Sequence, residues 1–147
     1  MSTRVRRSIF RFGGVIVIAL GILHLTVTPI IARLIAENVT EEVAVWLTPP
    51  MLLNHVIVGV LLLPMGILTF YAASPAVTGE RWAVFVTQVS AVTMAVLPLA
   101  LFELMGTRYF GAIPFVGATI MVCVAALALL AAAFWPKPNR PLTSSST

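Results

Sequence analysis

The stretch GGVIVIALGILHLTVTPIIARL, residues 13–34, decides the fold. Residues 13–32 hold no Asp, Glu, Lys or Arg, and about 20 such residues are what an α-helix needs to cross the hydrocarbon core of a bilayer. One ionisable ring, His24, sits near the middle of the run. Its presence there poses the functional question that the rest of the chain must answer.

Three more runs of this kind follow, so the predicted spans cover about residues 12–32, 51–73, 82–105 and 112–135. Composition agrees. Of the 147 residues 60% are hydrophobic and 10% charged, against about 45–50% and about 25% in ordinary soluble domains. A soluble fold would leave this apolar surplus uncovered. The expected class is an all-α membrane protein, and short connections favour an up-down-up-down bundle of four transmembrane helices.

The net charge of +4 does not point to nucleic acid, because the cations cluster at the two ends. Arg4, Arg6, Arg7 and Arg11 precede the first run, in a basic tail at residues 1–11, and Lys137 and Arg140 follow the last. Adding Arg81, seven Lys and Arg residues face one side and only Arg33 and Arg108 the other. The positive-inside rule therefore predicts both termini in the cytoplasm, and a bacterial inner membrane is the expected location. The first run is too long for a signal-peptide core of 7–15 residues and no A-x-A-like site follows it, so it is read as a retained helix. Trp46, Trp82, Tyr109 and Trp135 flank the runs as an interfacial belt. Residues 136–147 are poor in apolar side chains, with Leu142 the one large aliphatic residue, and are expected to be disordered.

Between the first two spans, residues 32–50 are acidic, with Ile35, Val39, Val43 and Trp46 at spacings of four, four and three. That period predicts an amphipathic segment on the outer surface, in which the first helix continues or restarts. Thr48-Pro49-Pro50 reads as a capped first turn of the second span. Residues 74–80 read as a short inner turn, and Gly106 as a helix C-cap.

Small residues mark helix contacts in lipid, where close packing replaces the hydrophobic drive. Gly14 and Gly21 lie on one stripe with His24, and Gly59 and Gly66 on one stripe with His55. Ala91 and Ala95 supply a similar face on the third span. Both histidines are thus expected to face other helices, which also avoids the cost of an ionisable group in acyl chains.

The chemistry these residues offer is narrow. Cys123 is the single cysteine, which excludes an intrachain disulfide, a CxxC redox pair and a cysteine zinc site. His24 and His55 suit a histidine-ligated centre, either haem b or a metal ion, since bundle interiors are where such sites are built. Met51, His55, Glu103 and Met105 near the outer ends suit a copper-type metal ion, because thioether and imidazole favour Cu(I). Against both, each imidazole can bond a nearby carbonyl or hydroxyl (Thr26 and Thr28 are at hand), and Glu103 can pair with Arg108 or Arg33. The leading expectation is therefore a non-catalytic accessory or interaction subunit. It needs no cofactor, and its partners are the lipid bilayer and other membrane subunits or a second copy. A redox or metal-binding protein is the alternative, and a small transporter a further one.

Overall fold

The computed structural model describes residues 1–105 and 113–135, which form four helices. These are α1 (Thr3–Asn38), α2 (Glu41–Thr78), α3 (Arg81–Met105) and α4 (Ile113–Ala133). Three of them, α1, α2 and α3 as far as Glu103, are long and apolar enough to cross a membrane. The chain is a helical membrane-embedded protein. In α4 the apolar run Thr119–Ala133 is shorter. The Gly106 cap, Arg108, Tyr109 and the tail at 136–147 lie outside the described residues.

The first two helices exceed the expected spans. At 36 and 38 residues and 1.5 Å rise each is roughly 55 Å long, against a hydrocarbon core of about 30 Å. The helix begins at Thr3, inside the stretch read as a basic tail, with Ser2 as N-cap accepting from the Val5 N–H at 3.3 Å. Residues 32–38 and 41–50 are helical, but the chain reverses between them. Val39 is extended and Thr40 caps α2. Ile35 and Val39 therefore fall before the reversal and Val43 and Trp46 after it, so the four do not share one face. Pro49 and Pro50 stand inside α2 and not in its first turn. Each removes one N–H from the ladder, a loss tolerated near a helix end that water or headgroups can reach.

The second connection is tighter than expected. α2 runs through Pro75 to Thr78, and only Gly79 and Glu80 lie outside helix. Gly79 has φ 95° and sends its N–H to Pro75 O and Ala76 O, while the Glu80 N–H also reaches Pro75 O. A left-handed residue here satisfies the last carbonyls and turns the chain at once, which only glycine does without strain.

α1 packs on α2, α2 on α3, α3 on α4, and α4 back on α1. The core lies toward the Gly79 end. Phe10 and Val17 from α1 meet Ala72 and Ala76 from α2, with Ala83 of α3 and Leu129 of α4. Thr69 and Ser90 share a hydroxyl–hydroxyl hydrogen bond of 2.7 Å between α2 and α3. At the opposite end α1 and α2 run on together as a hairpin. His24, Leu101 and Thr119 share one level, lining a common cavity. From that level α1 continues to Asn38, α3 to Met105 and α4 back to Ile113. The hairpin therefore outruns the described ends of α3 and α4 by roughly 12–15 Å at 1.5 Å per residue.

Candidate functional site

The seam between α1 and α2 brings the predicted residues together. Gly14 faces Gly66, and a methyl group on Gly66 would lie 2.7 Å from the Gly14 carbonyl oxygen and 2.7 Å from the Ile18 nitrogen. A methyl group on Gly21 would sit 3.0 Å from the Gly59 carbonyl oxygen. These four glycines let two backbones touch, as small residues do between helices in lipid. On α3, Ala91 is fully buried and Ala95 packs against the same core. The small-residue faces are thus used inside the chain.

One step further along the seam, the rings of His24 and His55 stand 5.5 Å apart, centroid to centroid, with planes 35° from parallel. The expected spans 12–32 and 51–73 place His55 close to its helix end and His24 deeper. The two are at equal depth, because the hairpin reverses at residues 39 and 40 and each ring is fourteen residues from the adjoining helix end. His24 Nδ1 lies 2.9 Å from Leu20 O. A carbonyl only accepts, so Nδ1 carries the proton, and in the neutral ring Nε2 is left as an acceptor. Thr28 Oγ1 donates at 2.8 Å to the carbonyl of His24, and Thr26 Oγ1 to Leu23 O. Neither hydroxyl serves the ring. His55 Nδ1 is buried with no hydrogen-bond partner among the described residues.

The remaining candidates do not converge on this pair. Met51 is one turn from His55 on α2 and exposed. Glu103 is exposed at the end of α3, and the side chain of Met105 is outside the described ones. Among the described residues no three His, Cys, Asp or Glu side chains form a group able to hold a metal ion. Arg33 pairs with Glu37 at 2.6 Å on the same helix and not with Glu103.

A cavity of about 190 Å³ adjoins His24, walled by all four helices. Leu62 of α2, Leu97 and Pro98 of α3, and Thr119 and Val122 of α4 are among its walls. Thr119 is 6% exposed, and among the described residues its hydroxyl has no partner.

A second polar feature lies at the other end, where sequence reading saw only charge. Arg6 is buried, its Nε donating to Ala132 O at 2.7 Å and its Nη2 to Ala133 O at 3.4 Å. Its guanidinium lies 5.5 Å from the Phe10 ring centroid. A cation on the last carbonyls of a helix satisfies orphan acceptors and complements the helix dipole. The one signal in the sequence was Phe10 at i+4 from an arginine.

No protein-family model, no curated protein and no solved structure matches the chain.

Proposed function

We propose that the chain is a small, non-catalytic accessory subunit of a membrane assembly, and that the projecting α1–α2 hairpin meets its partner. In this reading α4 is a fourth span, the four spans run up-down-up-down, and both termini lie in the cytoplasm of a bacterial inner membrane. The observation that carries it is the uncovered apolar surface of the hairpin. Trp46 is 81% exposed and Val45 64% exposed, with Glu41 and Glu42 beside them in the same turns. An aromatic anchor with acidic neighbours, beyond the described ends of α3 and α4, is covered by none of the described residues and suits a contact surface. Other polar side chains of the described helices support the same reading. Thr28 and Thr87 spend their hydroxyls on carbonyls of their own helix, and Thr69 bonds both Met65 O of its own helix and Ser90 of α3.

The His24–His55 contact favours a second reading, a metal-binding protein. Two imidazoles on one tetrahedral ion, at metal–nitrogen distances of about 2.0 Å, bring ring centroids to roughly 5–6 Å. The spacing here is 5.5 Å. Backbone contact at Gly21 and Gly59, next to the pair, favours a single ion over the haem macrocycle. In this form Met51, one turn from His55, is the nearest soft ligand along α2.

One purification separates the two. The protein is isolated in mild detergent, its absorption spectrum and metal content are measured, and co-purifying protein is quantified. The first reading predicts metal-free protein with a stoichiometric partner that Trp46→Ser releases. Bound metal at one per chain, lost in His24→Ala and His55→Ala, would overturn it in favour of the second.

A further inference from the structure

The cavity beside His24 has the size and the polar groups of a ligand site. Its volume, about 190 Å³, exceeds the roughly 150 Å³ of an apolar cavity known to take up benzene. One six-membered ring with a small substituent fits. The walls are mostly aliphatic, with two exceptions, His24 and Thr119. This combination of an apolar enclosure with a few placed polar groups is the usual make-up of a small-molecule site.

Thr119 is the informative residue. Thr28, Thr69 and Thr87 each donate to the carbonyl four residues earlier, the ordinary way for a helical hydroxyl to avoid an unmade bond. The Thr119 hydroxyl is buried and, among the described residues, makes no such bond. A buried orphan of this kind is costly, and its persistence calls for an explanation. His24 supplies the complementary half. Its Nδ1 is committed to Leu20 O, so the neutral ring offers an acceptor and no donor. The ligand must therefore bring an acidic hydroxyl for His24 and an oxygen to receive the Thr119 proton.

We propose that this cavity binds a single-ring phenol, its hydroxyl donating to His24 Nε2 and the same oxygen accepting from Thr119 Oγ1. Such a ring exists as a free phenol or as the head of a membrane quinol. Both carry the phenolic hydroxyl. The site is independent of the hairpin surface, since no residue is shared between them.

The test uses the full chain in fluorine-free detergent with chelator present, and 4-fluorophenol followed by fluorine NMR. Saturable binding at one per chain is expected, at least tenfold tighter than binding of 4-fluorotoluene, which has nearly the same shape and no hydroxyl. Thr119→Val should weaken 4-fluorophenol several-fold while leaving the melting temperature unchanged or raised, because the change removes an unbonded hydroxyl. A short-tailed quinol that displaces the probe identifies the membrane source, and failure to displace it identifies the free phenol. The proposal is overturned if binding does not saturate, if 4-fluorotoluene binds as tightly, or if Thr119→Val binds like the parent.

Discussion

Arg6 shows how far a single side chain departs from what its position in the sequence suggests. It sits in a run of basic residues ahead of an apolar stretch, the ordinary place for a cation at an anionic membrane surface. Instead the guanidinium joins the first turn of α1 to the last turn of α4, across 126 residues of chain. Hydrogen bonds from a charged donor are worth about 1.5–3 kcal/mol each. Losing both would also leave the Ala132 and Ala133 carbonyls short of a partner. Arg6→Ala should therefore lower stability by about 2 kcal/mol or more in a thermal melt. Arg4→Ala, at an exposed position, should change it by less than about 0.5 kcal/mol. Equal melting temperatures for the two variants would show that the α1–α4 tie carries no weight.

At the scale of elements, the α1–α2 hairpin is the most closely fitted part of the molecule. Its register was partly legible. Gly14 with Gly66, Gly21 with Gly59 and His24 with His55 are mirror pairs whose numbers sum to 80, 80 and 79. The mirror falls between residues 39 and 40, where the helix breaks. Sequence reading found the stripes but ended the helices at 32 and 51, and so placed the histidines at unequal depths. Helix ends were hard to see because the decisive signals conflicted. Pro49 and Pro50 look like a start and are interior, whereas Thr40 is a cap without a side-chain bond. The glycines give a clear prediction. Gly66→Ala forces a methyl group against backbone, which cannot swing aside as a side chain can, so the helices must separate, at about 1–3 kcal/mol. At Gly117 nothing lies within 4 Å of the added methyl, and Gly117→Ala should be neutral or stabilising by up to about 1 kcal/mol from helix propensity. Detergent melts of both variants check this, and the same change at two helical glycines should have opposite signs.

At the scale of the whole molecule, the described residues form a tapered arrangement. Alanines and glycines close the Gly79 end tightly, where Ala72, Ala76, Ala83 and Leu129 are fully buried, and the other end opens into the cavity beneath the hairpin. The membrane orientation belongs to this scale, because no single helix carries it. Seven cations against two predict both ends in the cytoplasm. With Cys123→Ala as background, a cysteine at Ser2 and one at Thr147 should both resist an impermeant maleimide in intact cells and react after lysis. A cysteine at Glu42, on the hairpin, should react in intact cells. Labelling of one terminus but not the other before lysis would exclude an even number of spans.

The sequence by itself determined that the chain is helical and lives in lipid, since long uncharged apolar runs have no other stable environment. It also determined which faces are small enough for helices to meet, because glycine spacing alone allows backbone contact. What only the tertiary structure decided were the relations between helices. The equal depth of His24 and His55, the reach of Arg6 to α4 and the unbonded hydroxyl of Thr119 all depend on where the helices end and how they pack. Those distances arise from contacts between residues far apart in the chain, and no local pattern encodes them.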